Sequence, residues 1–330
     1  MRLLTVILTF FMITPLMAQE VAQRRSLKLM GSRFDISVVA KDSTIANSYI
    51  EDAISEITRI EKLISSWDTE SQTSLINRNA GIKPVKVDRE LFDLIERALQ
   101  ISKITDGAFD ISFASVDKIW RFDGSMTQKP TEEEITNSVA MIGYQNIVMD
   151  KENQTVFLKR KGMKIGFGAI GKGYAADKVR TMLKKNGVTA GIINASGDLT
   201  AWGHQPDGAN WMIGITNPLN KNKIFSWFPI VDAAVATSGN YEKFVEFDGV
   251  KYSHIIDPRT GYPATGLVSV TIFANSAELC DALATSIFIT GTETGINIIN
   301  QIKGVECIVV DDKNKIHTSK NIQLNSNRAE

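Results

Sequence analysis

The chain has 330 residues, 43% of them hydrophobic, enough to bury a large core as one big domain or two closely packed ones. Lysine plus arginine equals aspartate plus glutamate at 37 each, so no general electrostatic pull toward nucleic acid or an anionic membrane exists and any partner must be recognised locally. Cys280 and Cys307 are too few for a disulfide framework and lack metal-ligand spacing; they read as buried thiols.

MRLLTVILTFFMITPLMAQE, at the start, joins an early arginine to an apolar run of about 15 residues and to Ala18, the pattern of a secretory signal peptide. A bilayer span needs about 20 apolar residues, so membrane association is expected only if this segment stays uncleaved. Residues 1–18 are therefore expected to be a signal peptide, 19–25 a flexible lead, 26–320 a single domain and 321–330 a tail.

SLKLMGSRFDISVVA alternates apolar and polar residues around Gly31, as a hairpin or a kinked strand does. From Ser43, residues Ile50, Ala53, Ile54, Ile57, Ile60 and Ile64 fall on one stripe and predict a long amphipathic helix ending near Trp67. A second helix is predicted from Asp88, carrying Leu91, Leu94, Ile95, Ala98 and Leu99, and a short third from the capping box of Thr131 and Glu134. NIVMDKENQTVFLKR reads as strand, turn and strand, and GFGAIGKGYAADKVRTMLKKNG as a strand end, a glycine-rich turn and a helix from about Tyr174 to Gly187. Strand-like segments run on to about residue 257. NSAELCDALATSIFITG is a helix with Asn275 and Glu278 as capping pair and Gly291 as stop; helix ETGINIINQI and strand VECIVVDD follow. Strands in pairs, interrupted by helices without a regular βαβ alternation, predict an α+β fold.

Two motifs fail on inspection. Gly166, Gly168 and Gly171 match the dinucleotide fingerprint, but Asn194 and Ala195 stand where its acidic residue is expected. Gly166, Gly171 and Lys172 nearly spell a phosphate-binding loop, yet Gly173 replaces the hydroxyl that would hold magnesium. What survives is either a phosphate cradle of glycines, lysine and helix N-terminus, or a tight turn with a solvated lysine. Asp281 and Thr285, four apart on an otherwise apolar helix, share one face. A buried carboxylate is costly, so it either serves a hard cation such as Mg²⁺ or pairs with a lysine while Thr285 bonds back to the helix.

Taken together, TDGAFDIS (105–112), GKGYAADKV (171–179), ATSGNY (236–241), SHIIDPRTG (253–261) and DALATSIFITG (281–291) resemble the FAD:protein FMN transferase (ApbE) family in order and spacing. The likeness runs from LMGSRFDI to DALATSIFITG. It implies an α+β domain of mixed, largely antiparallel sheets, related to the T-fold, in an exported periplasmic protein. It also implies an Mg²⁺-dependent enzyme that cleaves FAD, attaches FMN through a phosphoester to a threonine or serine of a target flavoprotein, and releases AMP. The implied targets include membrane redox-pump subunits and exported reductases.

By that resemblance Asp281, Thr285 and the backbone carbonyl of Ala169 hold the metal. Met30, Trp67, Ala108, Phe109, Asp110, Lys172, Asp198, His254 and Ile255 line the flavin nucleotide, and His254 is the base that takes the hydroxyl proton. Asp257 is expected as a partner for that imidazole, whereas His204 and His317 are expected to have no role. This chain departs from the family's usual pattern at Gly166, where many relatives carry aspartate, and at Ala195 and Ser196, where a double glycine is common. Two other readings suit the same site: an FAD pyrophosphatase that yields FMN and AMP, and a periplasmic FAD-binding protein without activity.

Overall fold

In the computed structural model, residues 20–217, 220–241 and 243–322 are described. The segment expected to be a signal peptide lies outside them, as do residues 323–330 of the expected tail.

The first strands, β1 (Val21–Leu29) and β2 (Ser32–Ala40), form an antiparallel hairpin in unbroken register, Val21 opposite Ala40 and Leu29 opposite Ser32. The hairpin alternative at Gly31 therefore holds, with Met30 and Gly31 at φ +48° and +72° in its turn. The expected flexible lead is corrected here: β1 already begins at Val21, because its backbone pairs with residues 36–40.

Helix α1 (Ser43–Ile64) is capped by the Asp42 side chain, which accepts from the Ile45 N–H, and buries the stripe from Ile50 to Ile64. A short helix α2 (Gln72–Arg78), which sequence periodicity does not reveal, leads through β3 (Val85–Lys86) into α3 (Arg89–Ile104). The capping box of α4 (Glu132–Ser138) has both its reciprocal hydrogen bonds. Strands β4 (Ile147–Asp150) and β5 (Thr155–Leu158) pair antiparallel, with β3 on the other side of β5.

Next comes α5 (Gly171–Lys185), which begins three residues earlier than expected and follows a coil and turn in place of a strand end. β6 (Ala190–Ala195) and β7 (Asp198–Trp202) form a tight hairpin, and β8 (Trp211–Asn217) pairs with β9 (Asn220–Ile230). β10 (Ala233–Gly239) is followed by the hairpin β11 (Phe244–Phe247) and β12 (Val250–Ser253), then by β13 (Leu267–Ala274). The chain closes through α6 (Ala277–Thr290), α7 (Thr292–Ile299), β14 (Glu306–Asp311) and β15 (Ile316–Thr318).

The cap of α6 is Ser276, not Asn275: its hydroxyl accepts from the Leu279 N–H, while Glu278 turns to Arg97.

Eight strands build the main sheet in the order β1-β2-β6-β7-β10-β13-β14-β15, with every neighbouring pair antiparallel. Antiparallel strands alternate their side chains, so the sheet has two different faces. Phe34, Ile36, Ala234 and Ala236 join one core with helices α1, α5 and α6, which lie over β2, β6–β7 and β10–β13. Val39, Leu199 and Val235 point the other way and meet Trp211 and Ile230 of the β8–β9 hairpin. Helix α6 is mostly apolar and packs against β10, β13, α5 and α7. Each large aliphatic side chain so buried contributes roughly 1.5–3 kcal/mol before entropy is charged against it. A carboxylate in such a helix needs a compensating partner.

Candidate active site

At one end of the main sheet, the β1–β2 turn, the 108–114 turn, the 166–170 turn, the β6–β7 turn, the end of β10 and one face of α6 enclose a cavity of about 550 Å³. Small-molecule sites typically span about 300–1,000 Å³.

Eleven of the twelve residues singled out in the sequence line it: Trp67, Ala108, Phe109, Asp110, Ala169, Lys172, Asp198, His254, Ile255, Asp281 and Thr285. Met30 sits in the β1–β2 turn two positions before the lining residue Ser32, donates its N–H to Glu61 at 3.1 Å and packs on the core.

Asp281 is 6% exposed. Burial pushes its carboxyl well above the usual carboxylate range, the nearby Asp198 charge adds to this, and Lys172 with the Gly173 N–H opposes it. That N–H, in the first turn of α5, donates to the Asp281 carboxylate at 3.2 Å. The helix N-terminus is thus spent on the carboxylate, where its partial positive charge is favourable. One turn along α6, the Thr285 hydroxyl lies 3.4 Å from the Ser238 hydroxyl of β10.

Lys172 is ion-paired with Asp198. The lysine pairing weighed for Asp281 therefore goes to Asp198, and the cation alternative keeps its physical motive. Asp281 faces the cavity with its carboxyl raised by burial, so a cation beside it would let it ionise and would favour the entry of an anionic diphosphate.

The donor set suits a hard cation that keeps waters and substrate oxygens among its ligands, as Mg²⁺ does: a carboxylate, a hydroxyl and the backbone around Ala169. Among the described residues no group of three or more His, Cys, Asp and Glu side chains forms a self-sufficient metal cage.

Local packing explains the glycines of 166–173. A Cβ at Gly173 would lie 2.1 Å from the Ala277 carbonyl oxygen, one at Gly171 2.9 Å from Ile64 and one at Gly166 3.0 Å from Ala114. Gly168 alone has open space around it. The run is therefore chiefly a device for close packing of α5 on α6 and α1, and the absence of a hydroxyl at Gly173 follows from that contact.

The carboxylate of Asp110 accepts from the Ser112 N–H at 2.7 Å, the Ser112 hydroxyl at 2.6 Å and the Tyr144 N–H at 2.7 Å. It shapes the wall of the cavity by folding its own turn. Trp67, 81% exposed, stands at the cavity with the Lys118 ammonium 4.5 Å from its ring centre. Its flat face suits stacking on an aromatic ring system.

His254 is half-buried, and its Nδ1 lies 3.2 Å from the Lys243 carbonyl. Asp257 is not its partner, because both its oxygens are taken by the Arg259 guanidinium at 2.9 and 2.8 Å. His317 pairs with Asp311 at 2.8 Å.

Sequence reasoning passed over Ser32, Ser66, Thr237, Ser238 and Pro258, which also line the cavity. Thr237 and Ser238 lie inside the block ATSGNY. A pair of hydroxyls ending a predicted strand was the available signal.

The model of the ApbE family matches residues 30–309. The FAD:protein FMN transferase of Klebsiella pneumoniae is 33% identical over 86% of this chain and 88% of its own length, and that of Treponema pallidum 30% identical over 83% and 80%. Among solved structures, the ApbE protein of Thermotoga maritima superposes with a TM-score of 0.81 at 31% identity, covering 91% of this chain and 97% of its own. The flavin transferase ApbE of Vibrio cholerae does so with 0.80 at 25% identity, covering 91% and 98%.

Proposed function

The chain belongs to the ApbE family, and from that premise we propose that it is an exported, Mg²⁺-dependent FAD:protein FMN transferase. One observation carries the proposal: the buried acid Asp281, the hydroxyl of Thr285, the ammonium of Lys172 and the imidazole of His254 line one cavity although 113 positions separate the first from the last of them. The relatives named FAD:protein FMN transferase support the choice of substrates.

Asp281, Thr285 and the Ala169 carbonyl would hold the cation, which when bound spreads the negative charge of the diphosphate. Lys172 stands beside Asp198 as a second, fixed positive charge for the leaving phosphate. Trp67, Phe109 and Ile255 offer apolar surface to the flavin nucleotide. His254 takes the proton of an acceptor threonine or serine as its oxygen bonds to the flavin-side phosphorus. The P–O bond to the adenylate side breaks, and AMP leaves with the electron pair. Positioning and charge supply most of the rate.

The experiment is to incubate the purified chain with FAD and Mg²⁺, with and without an exported flavoprotein, and to follow AMP and the acceptor's mass. AMP released only with the acceptor, together with the mass of one added FMN on a threonine or serine, is the expected result. AMP without acceptor makes the protein a pyrophosphatase, and no AMP under any condition makes it an FAD-binding protein. In the same assay His254→Ala lowers transfer by about 10²–10⁴ while FAD binding persists; undiminished transfer removes His254 from the reaction.

A further inference from the structure

His254 sits between the main core, which takes its neighbour Ile255, and a second, smaller hydrophobic cluster. The loop 117–130, helix α4 and the hairpin β11–β12 enclose a satellite cluster of Trp120, Ile135 and Val245, with Phe122 and Tyr252 packed against it. Trp120 stacks on Tyr252 at 5.5 Å between ring centres and donates its indole N–H to the Gly261 carbonyl at 3.0 Å. His254 follows directly on β12. Among the described residues, two contacts reach its side chain from this cluster and hairpin. Phe122 meets the imidazole edge-on, at 6.4 Å and 78° between planes, and the Lys243 carbonyl lies 3.2 Å from Nδ1. The same carbonyl accepts the His254 backbone N–H at 3.0 Å, which ties ring and main chain to one point.

A carbonyl oxygen only accepts, so Nδ1 must be the nitrogen that carries the proton in the neutral ring, and Nε2 must be the one with a lone pair. We infer that the Lys243 carbonyl and Phe122 act together as the positioning device of the base: the carbonyl selects the Nδ1–H tautomer and Phe122 fixes the ring plane, so that Nε2 is the proton acceptor. The inference rests on the transfer reading above for its catalytic meaning, but the tautomer and the ring contact are properties of the protein alone. It also gives the satellite cluster a task that Asp257, held by Arg259, does not perform.

The test has two arms. The chain contains three histidines, so a long-range ¹H–¹⁵N spectrum of the histidine-labelled protein at about pH 8, where unperturbed imidazole is neutral, resolves each ring, and His254→Gln identifies the one concerned. A pyrrole-like Nδ1 and a pyridine-like Nε2 are expected for His254; the reverse pattern overturns the inference whether or not the protein transfers FMN. In the second arm, Phe122→Ala is expected to lower kcat for transfer by about tenfold to a hundredfold with KM for FAD within about twofold, and Phe122→Tyr to restore it. An unchanged kcat in Phe122→Ala, or a Phe122→Tyr variant as slow as the alanine one, overturns the role of Phe122. Should Phe122→Ala fail to fold, the tyrosine variant and the wild-type spectrum still decide. A wild-type protein that gives the expected spectrum but modifies no acceptor refutes the function and leaves the tautomer standing.

Discussion

Gly173 shows how one residue can be misread from sequence and still matter. Next to Lys172 it looks like a failed phosphate loop, because the magnesium-binding hydroxyl is missing. In the fold it lets α5 touch α6, and a single methyl group would be placed 2.1 Å from the Ala277 carbonyl oxygen. Its N–H is also a partner of the Asp281 carboxylate. Gly173→Ala should therefore push the two helices apart, with a cost of about 1–3 kcal/mol as in other overpacked cores. It should also weaken the Mg²⁺-assisted FAD binding proposed above, since Lys172 and Asp281 belong to the helices displaced. Urea denaturation and calorimetry read both effects, and a variant with unchanged midpoint and affinity would show that the backbone absorbs the methyl group. Asp281 itself was legible as an acid on an apolar helix, because desolvation is a property of the residue type. Whether lysine or a cation answers it was not legible: that depends on Asp198, 83 positions away in sequence, having taken Lys172.

Among the elements, α1, α3, α5 and α6 are held together by a partly buried polar network. Glu90 of α3 accepts from Arg59 of α1 at 3.0 Å and from the Tyr174 hydroxyl of α5, with Lys178 at 3.3 Å, while Arg97 of α3 grips Glu278 of α6 at 2.7 and 3.0 Å. Burial pushes Glu90 upward, but the hydrogen bonds from Arg59 and Tyr174 and the charge of Lys178 outweigh it and hold the carboxyl down to about 2. A carboxyl lowered by folding stabilises the native state above its ordinary value of 4.5 and loses that contribution as the pH falls toward about 2. The gap in Tm between the wild type and Glu90→Gln should thus be widest above pH 4.5 and close toward pH 2. A gap that does not change with pH would mean that shape, and not charge, is what Glu90 supplies. Helix positions were largely readable here because the 3.6-residue stripe and the caps are local. The exceptions, α2 and the early start of α5, are a short element without a full stripe and a helix whose first turn is stabilised by a carboxylate from another helix.

For the whole molecule, the cavity is closed by residues from Ser32 to Ile289, so its walls exist only when the sheet and its helices are all in place. A ligand that binds there stabilises the entire fold. FAD with Mg²⁺ at 100 times its dissociation constant should add about 2.7 kcal/mol, a rise of a few degrees in Tm. Hydrogen exchange should slow together at the 108–114, 166–170, 196–198 and 254–258 segments. Protection confined to one of them would mean that the ligand sits elsewhere. The sequence by itself determined the α+β class, most helices, the acid-and-hydroxyl face of α6 and the likeness of five ordered blocks, because periodicity, caps and residue chemistry are written over short distances. Only the tertiary structure decided that the Met30 N–H goes to Glu61, that Asp257 belongs to Arg259, and that the carbonyl of Lys243 faces His254. Such pairings depend on which turns a folded sheet brings to one end, and a backbone carbonyl, present at every position, leaves no mark in the residue order.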